Sequence, residues 1–402
     1  MKNTLLPAML ATALLNIGCQ SIQNKPATKV PEDSNNLRVA TFNVSMEATN
    51  YKIDQHLDVS GNALTTALIS GQFKQINNIA QIIQRTRPDV ILLNEFDYIS
   101  DPEQGINLFK KRYLEVSQNG FEPIFYPHIY LAPVNTGVKT PLLGEKTRLT
   151  HFGFGHYPGQ YGMVLLSKFP IDNKNVRTFQ RFLWQDMPDN FMPKTQDGRS
   201  WYSEQERNIM RLSSKSHWDV PINVCGKKIN ILASHPTPPV FDGPEDRNGR
   251  RNHDEIRLWK DYISETGNSY LYDDNGQSGG FNGSSFVILG DLNASAVDGD
   301  AHPKAISQLL EHPRVSKYPA PTSKGGLLNK PSNTNAATHT AHWGMRADYV
   351  LPSADLTLTN SGVFWPTKDE AGAELVADRR ASSDHRLVWV DIELSIDTLQ
   401  CE

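Results

Sequence analysis

The stretch Phe286-Val-Ile-Leu-Gly-Asp291-Leu-Asn293 joins an apolar run to a carboxylate and an amide. A short apolar run of this kind predicts a buried β-strand. A polar side chain just past the end of such a strand emerges at the edge of the sheet. If Leu292 points into the core, Asp291 and Asn293 point the same way. The stretch therefore predicts a strand that delivers both polar groups to one sheet edge.

Polar side chains stand at the ends of other predicted strands as well. The further examples lie in residues 37–43, 90–95, 229–235, 346–350 and 382–385. If these ends meet at one edge, that edge carries at least three carboxylates, two amides and two imidazoles. Such a set of donors suits a hard divalent cation and a phosphoryl group. The sequence thus predicts one polar site at a sheet edge.

These polar pieces, taken together, resemble the endonuclease/exonuclease/phosphatase superfamily. The matching pieces are Asn43, Glu95, the turn Gly290-Asp-Leu-Asn293, the pair Asp348-Tyr and the triplet Ser383-Asp-His385. They occur in the order of the family and span about 350 residues. A single Ser-Asp-His is common by chance, whereas the ordered set is not. The chain is therefore identified as a member of that superfamily.

The predicted elements indicate a mixed α/β fold. Strands are predicted at 37–43, 89–95, 162–167, 222–224, 229–234, 285–289, 347–351 and 387–394, and helices at 72–86, 104–117 and 250–264. The loop Gly226-Lys-Lys supplies a hairpin turn, and polar segments such as 236–256 are predicted to be loops. This mixture favours a mixed sheet pair with helices outside. The resemblance implies a deoxyribonuclease I-like fold: a four-layer, two-sheet β-sandwich flanked by helices, with the site at one edge.

The carboxylate of Glu95 comes after five mostly apolar strand residues, where it is costly unless it is paired or binds metal. An ordinary salt bridge at the strand end would also explain it. The resemblance implies that Glu95 is a metal ligand, with Asn43 beside it and Asp384 as a further contact. The expected ion is Mg²⁺, or Mn²⁺ or Ca²⁺ in its place. Mg²⁺ takes few carboxylates and keeps several waters, which fits this small set of ligands.

The resemblance also implies roles in the reaction for Asp291, Asn293, Asp348 and His385. Asp291 is expected to position or deprotonate the attacking water, and Asn293 to donate to a phosphate oxygen. A tight turn that prefers Asp and Asn for backbone reasons is the alternative. His385 suits proton transfer or charge stabilisation and needs an orienting carboxylate, for which Asp348 is the candidate. Base and stabiliser both remain open for His385, as does a purely structural role.

A second histidine, His235, ends a predicted strand and is followed by Pro236. The resemblance implies that it lines the site. It could protonate the leaving oxygen or stabilise the phosphoryl charge. The carboxylate that pairs with this histidine in relatives has no counterpart that the sequence identifies. The sequence therefore leaves open whether His235 is a general acid or only lines the site.

The segment after His235 contains Arg247, Arg250 and Arg251. Arginine guanidinium groups suit phosphate oxygens, so these residues are candidate substrate contacts. The alternative is a solvated loop closed by its own salt bridges to Asp246 and Glu255. The sequence does not decide between the two readings.

The N-terminus predicts export. Residues 1–19 read as a signal peptide with one lysine and a short apolar stretch. Gly18-Cys19 resembles a bacterial lipoprotein cleavage site with Cys19 as the lipidated residue, although Asn16 stands where that pattern prefers leucine. Residues 20–36 then form a flexible tether, and residues 37–396 one catalytic domain. We expect a cell-envelope lipoprotein or a secreted protein, and a Cys225–Cys401 disulfide stays open.

The net charge and the pI exclude two classes of protein. The net charge is −4 and the pI about 6.3, so the chain has neither a strongly basic nucleic-acid surface nor the acidity of a disordered protein.

We expect a metal-dependent phosphoesterase that hydrolyses a phosphate mono- or diester by in-line attack of water. The alternatives are a secreted nuclease, a sphingomyelinase-type lipid phosphodiesterase and a non-catalytic surface binding lipoprotein. We expect a monomer whose partner is a phosphoester, with nucleic acid among the candidates, and membrane contact only through the N-terminal lipid.

Overall fold

The computed structural model describes Met1 and residues 36–51, 62–144 and 146–394. The predicted signal peptide, Cys19, nearly all of the predicted tether, and Cys401 lie outside these residues, so the predictions about them stay predictions. Cys225 is disulfide-bonded. Within the described ranges, no helix is both long and apolar enough to cross a membrane.

Eleven strands among the described residues form two sheets. In chain order they are β1 (Asn36–Met46), β2 (Val90–Phe96), β3 (His128–Tyr130), β4 (Met163–Ser167), β5 (Arg177–Thr178), β6 (His217–Val224), β7 (Lys227–Ser234), β8 (Phe286–Asp291), β9 (Asp348–Pro352), β10 (Leu358–Val363) and β11 (Val388–Glu393). The first sheet has the order β10-β11-β1-β2-β4-β3, and the second β5-β6-β7-β8-β9. Strands β1 and β2 lie against β8 of the second sheet. The predicted α/β sandwich is confirmed.

Helices lie in the connections between strands. They are α1 (Asn62–Ser70), α2 (Lys74–Thr86), α3 (Ile106–Phe109), α4 (Glu204–Arg207), α5 (Arg247–Ile263), α6 (Ser307–Leu310) and α7 (Lys324–Asn329). Single 3₁₀ turns occur at Ala48–Tyr51, Pro102–Gln104, Asn173–Asn175, Trp184–Asp186, Ala336–Thr338 and Ala373–Val376, and a π turn at Lys110–Leu114. The two parallel pairs, β1 with β2 and β7 with β8, are each connected through a long helix, α2 and α5 respectively. Each sheet therefore contains one strand–helix–strand unit whose strand ends point the same way.

The α2 helix shows how the pattern in the sequence sets an element. Ile76, Ile79 and Ile83 recur at helical spacing, and all three are fully buried. The helix ends at Arg87, which is left-handed at a φ of 53° and returns its N–H to the Ile83 carbonyl. The following Pro88 cannot continue a helix. The predicted helix over 72–86 is confirmed to within two residues.

Alternation along β7 and β8 separates two apolar layers. Ile231 and Leu289 join the core between the sheets. Leu232 and Ile288 point to the other side, where they pack with Trp259 of α5. Successive side chains of a strand point to opposite faces, so one strand serves both layers. Strands β7 and β8 are therefore buried on both faces, and β8 carries the site residue Asp291 at its end.

Three local predictions were wrong. The hairpin turn is made by Cys225 and Gly226, not by Gly226-Lys-Lys. Both turn residues have positive φ (50° and 85°), which gives a two-residue turn the twist that a hairpin requires. The two lysines therefore belong to β7. The predicted loop 236–256 gives way to α5 at Arg247. The predicted helix 104–117 is broken into α3 and the π turn Lys110–Leu114.

Candidate active site

The ends of central strands from both sheets meet at one edge of the sandwich. Asn43 of β1 donates from Nδ2 to Asp291 Oδ2 of β8, across the two sheets, at 3.0 Å. Asp348 begins β9 and is the ladder partner of Asp291. The structure thus brings together residues separated by about 250–300 positions in the chain. The predicted sheet-edge site is present in the fold.

One oxygen, Asp291 Oδ2, is the hub of this edge. Besides the Asn43 amide, His235 Nε2 lies 3.4 Å from it, and His385 Nε2 lies 3.5 Å from it. The other carboxylate oxygen accepts the backbone N–H of Asn293 at 3.0 Å. Four of the predicted site residues therefore surround the Asp291 carboxylate.

Asn94 connects the two sheets by hydrogen bonds next to the site, and the sequence did not predict this role. Its Oδ1 accepts the backbone N–H of Asp291 at 3.2 Å and the hydroxyl of Thr41, also at 3.2 Å. It is fully buried. Its position just before Glu95 is the only signal that the sequence offered, because an amide inside an apolar strand needs hydrogen-bond partners.

Three site segments contain a non-glycine residue in the left-handed region. These residues are Ser45, Glu95 and Asn293, at φ values of 47°, 58° and 52°. Such backbone is uncommon for residues other than glycine and concentrates at functional sites, where the surrounding structure holds it in place. Here it turns each chain sharply at the end of a strand. The turn is what allows consecutive polar side chains to face one edge.

Gly290 allows the Asp291 turn to approach the neighbouring strand. A Cβ at this position would lie 2.0 Å from the carbonyl oxygen of Ser234, at a backbone φ of 149°. Two residues after Asp291, Asn293 donates from Nδ2 to the Pro236 carbonyl at 3.2 Å. The amide of Asn293 is thereby directed toward the segment that contains His235.

His385 is held by a carboxylate, as predicted. Its Nδ1 lies 2.9 Å from Asp348 Oδ2, and the same oxygen accepts the hydroxyl of Thr340 at 2.7 Å. The ring of Trp343 meets the imidazole edge to face, with centroids 4.9 Å apart. With Nδ1 bound to Asp348, Nε2 is directed toward Asp291. This chain of contacts fixes the tautomer and the orientation of His385.

Burial and neighbouring charges have opposing effects on the pKa values of His385 and Asp291. Burial lowers the pKa of His385, but the Asp348 and Asp291 carboxylates more than offset this and raise it above its ordinary value. Burial raises the pKa of Asp291, with Asp348 and Glu95 adding to the effect and His385 and Asn43 opposing it. The two neighbouring carboxylates thus favour the protonated form of His385.

His235 is the less supported of the two histidines. It is buried, and its Nδ1 has no hydrogen-bond partner among the described residues. Burial lowers the pKa of His235 well below its ordinary value, and the nearby cations Lys215 and His385 lower it further. Asp291 lies 3.4 Å from Nε2 of His235, but within the described residues no carboxylate pairs with Nδ1.

The residues predicted as metal ligands, Asn43, Glu95 and Asp384, stand at the same edge. Burial raises the pKa of Glu95, and Asp384 raises it further, against His385, Asn43 and Lys215. Asp384 accepts the hydroxyl of Ser45 at 3.3 Å. A partly buried carboxylate next to further carboxylates is the environment that a divalent cation stabilises. The donor set therefore fits a hard cation.

A second arrangement of possible ligands occurs at the hub itself. Asp291, Asp348 and His385 present ligand atoms within 4.8 Å of one another, and all three are buried. Two of these residues are already bonded to each other, since His385 Nδ1 lies 2.9 Å from Asp348 Oδ2. That bond suits a carboxylate–imidazole pair for charge and proton handling better than it suits a shared metal. We keep Glu95 as the principal metal candidate.

Glu255 of α5 holds two site segments in place and was missed as a site residue. Its two carboxylate oxygens accept the backbone N–H groups of Ser214 and Thr237, each at 2.6 Å. These residues flank Lys215 and His235 in the chain. The polar run 211–219 was noticeable in the sequence, but nothing there showed that its partner lies 41 residues away.

The three arginines predicted as substrate contacts lie in α5, not in a loop. Arg251 is buried, and its guanidinium donates to the carbonyls of Phe152, Arg211, Leu212 and Ser213. Arg247 binds the Glu245 carboxylate, and Arg250 lies over the Phe191 ring. Arg251 therefore holds the segment before Lys215, which corrects its predicted role; contacts of Arg247 and Arg250 with substrate stay predictions.

Replacing Arg251 with alanine is expected to destabilise the protein. The change leaves buried carbonyls without donors, at about 1–3 kcal/mol for each unsatisfied group, partly relieved by relaxation. We expect a loss of roughly 2–4 kcal/mol in the free energy of unfolding, measured by urea denaturation. Arg250→Ala, at a more exposed position of the same helix, should cost much less. Equal stability of the two variants would contradict the structural role.

The sequence matches one known family over most of its length. The profile of the Endonuclease/Exonuclease/phosphatase family matches residues 40–385. Among solved structures, an endonuclease/exonuclease/phosphatase from Beutenbergia cavernae DSM 12333 is 17% identical, covers 89% of this chain and 72% of its own, and gives a TM-score of 0.46. A family protein from Leptotrichia buccalis C-1013-b is 15% identical, with coverages of 89% and 100% and a TM-score of 0.46. Beta toxin from Staphylococcus aureus is 14% identical, with coverages of 88% and 99% and a TM-score of 0.41. Comparison with curated proteins gives no match.

Proposed function

Because the chain belongs to the endonuclease/exonuclease/phosphatase family, and is thereby a hydrolase of phosphoester bonds, we propose that it is a metal-dependent phosphoesterase. It cleaves a phosphate mono- or diester by in-line attack of water. The observation that supports this best is the hub at Asp291 Oδ2, where Asn43, His235 and His385 converge at 3.0, 3.4 and 3.5 Å. A carboxylate surrounded by an amide and two imidazoles can hold a water molecule against a phosphorus atom.

The contacts support the following division of roles. Asp291 accepts a hydrogen bond from the attacking water and sets its direction. Asn293, whose Nδ2 now rests on the Pro236 carbonyl at 3.2 Å, turns to donate to a non-bridging phosphate oxygen. His385, oriented by Asp348 at 2.9 Å, carries positive charge beside the phosphoryl group. These groups stabilise the charge that develops in the transition state.

Glu95, with Asn43 and Asp384 beside it, would hold the divalent cation. The amide oxygen of Asn43 accepts one N–H, from Ser45 at 3.1 Å, and has a lone pair left for a cation. The ion, Mg²⁺ or Mn²⁺ or Ca²⁺ in its place, supplies Lewis-acid stabilisation of the phosphoryl charge when bound. The protein side chains orient the water and the substrate.

A panel of phosphoesters tests this function. The purified protein is freed of metal, resupplied with Mg²⁺, Mn²⁺ or Ca²⁺, and offered aryl phosphate mono- and diesters, nucleic acids and sphingomyelin vesicles. We expect hydrolysis of at least one class that stops in excess chelator and in Asp291→Asn. The panel also separates the nuclease and lipid phosphodiesterase alternatives. No hydrolysis of any class with any of the three ions would leave only the binding lipoprotein.

We further propose that the protein is exported and anchored by lipid at Cys19. The support is the short apolar stretch and Gly18-Cys19 at the N-terminus. Labelling with a radioactive fatty acid should mark the wild type and not Cys19→Ser. An unlabelled wild type whose Cys19→Ser form fractionates identically would leave simple secretion.

A further inference from the structure

A buried lysine stands at the candidate active site without a role in the function proposed above. Lys215 precedes β6, and only 5% of it is exposed. Its Nζ lies 3.5 Å from the Pro236 carbonyl oxygen. The same oxygen accepts Nδ2 of Asn293 at 3.2 Å. The ammonium of Lys215 and the amide of Asn293 therefore converge on one acceptor, directly after His235 in the chain.

The ammonium is poorly compensated where it lies. An ammonium has three donors, and within the described residues Nζ makes this one long hydrogen bond and no ion pair. Glu255, the carboxylate that most strongly raises the pKa of Lys215, accepts the backbone N–H groups of Ser214 and Thr237 with its two oxygens, each at 2.6 Å. Burying an unpaired charge is costly, so a buried lysine of this kind is destabilising unless it binds something.

Hydrogen bonds also fix the backbone around Lys215 in place. Glu255 fixes the residue before Lys215, Arg251 fixes the carbonyl of Ser213 at 3.3 Å, and the Lys215 carbonyl accepts the N–H of Asn135 at 2.9 Å. Three separate segments thus locate the backbone of this lysine. Lys215 is costly to bury, and it is rigidly placed beside Asn293, the proposed hydrogen-bond donor to a phosphate oxygen. Such a side chain is suited to binding an anion.

We propose that Lys215, together with Asn293, binds the non-bridging oxygens of the substrate's phosphoryl group, and that its charge makes the site favour a phosphate monoester over a diester. The inference rests on the proposed phosphoesterase function. The bound phosphate replaces the Pro236 carbonyl as the shared acceptor. A monoester dianion carries a second negative charge on these oxygens, so the attraction to a fixed ammonium is roughly doubled. His235, which burial keeps neutral, adds no charge on this side.

The charge state is consistent with this role. Burial lowers the pKa of Lys215, while Glu255, Glu95 and Asp291 act to raise it. A bound phosphate adds negative charge and favours the ammonium further.

The test is Lys215→Met, which keeps the length of the side chain and removes its charge. The matched control is Lys228→Met on β7, where the side chain is 57% exposed and pairs with Asp172 at 3.4 Å. The metal-loaded variants are compared on 4-nitrophenyl phosphate and methyl 4-nitrophenyl phosphate, which share a leaving group. Inhibition by inorganic phosphate, its calorimetric affinity and the melting temperature are measured alongside.

We expect Lys215→Met to lower kcat/KM for the monoester about ten- to a hundredfold, the effect of losing one charge-assisted hydrogen bond. The loss on the diester should be at least threefold smaller, phosphate should bind at least tenfold more weakly, and the melting temperature should hold or rise. Lys215→Arg should recover part of the phosphate affinity. Lys228→Met should change none of these.

Equal losses on both esters, with unchanged phosphate affinity, would overturn the inference. A lower melting temperature with proportional losses of all activities would show a structural lysine and would overturn it too. If the wild type hydrolyses neither ester, the proposed function fails on these substrates, and the calorimetric affinity for phosphate then decides the role of Lys215 alone.

Discussion

Glu95→Gln should lower kcat/KM by about a thousandfold or more, because the cation's stabilisation of the developing phosphoryl charge is worth several kcal/mol. The glutamine keeps the size of the side chain and removes the charge that burial disfavours, since burial raises the pKa of Glu95. The melting temperature without metal should therefore hold or rise. Added Mg²⁺ should raise the melting temperature of the wild type and not that of Glu95→Gln, because a ligand stabilises only the folded state that binds it.

Glu103→Gln is the matched control, since Glu103 is exposed and its carboxylate binds the side chains of Asn107 and Lys111 at 2.6 and 2.7 Å. It should have wild-type activity and the wild-type response to Mg²⁺. Full activity of the wild type in excess chelator would rule out the metal requirement. An inactive Glu95→Gln that still gains stability from Mg²⁺ would move the metal to other ligands, with the group of Asp291, Asp348 and His385 as the next candidate.

Much of the fold could be predicted from local patterns in the sequence. Buried strands and the α2 helix follow from apolar spacing, because burial of a periodic face is a local property of the sequence. The start of α5 was misplaced because its first turn is rich in arginine and asparagine, which reads as a solvated loop. Arg251 is in fact buried, and the carbonyls that accept its donors belong to residues 99 and 38–40 positions away. Such partners are set by the tertiary fold and leave no local trace.

The site divides in the same way. Asp291, Asn293, Asp348 and His385 stand at strand ends and were placed at one edge from the sequence, with the help of a family resemblance. Asn94 and Glu255 were not, because each acts through a partner on another element, and Lys215 was not, because nothing in the sequence shows that it is buried. A polar residue inside an apolar strand, such as Asn94, and a lysine that needs burial are ambiguous until the structure shows what they contact. Sequence reasoning therefore finds the groups directed at substrate more readily than the groups that position them.

His385→Ala and Asp348→Ala should each lower kcat/KM by roughly a thousandfold, within the range found for a group that handles a proton or charge in the transition state. The two residues are joined by a 2.9 Å bond from Nδ1 to Oδ2, and Asp348 raises the pKa of His385. Without Asp348 the imidazole loses its orientation and the carboxylate that most favours its protonated form, so removing either residue disables the pair. The double variant should then be at most a few times worse than the weaker single variant, because residues that act as a unit are not additive. Near-equal KM values with a fall confined to kcat would place the pair in the transition state rather than in substrate binding. A double variant whose loss is the product of the two single losses, about a millionfold, would show that Asp348 does not act through His385.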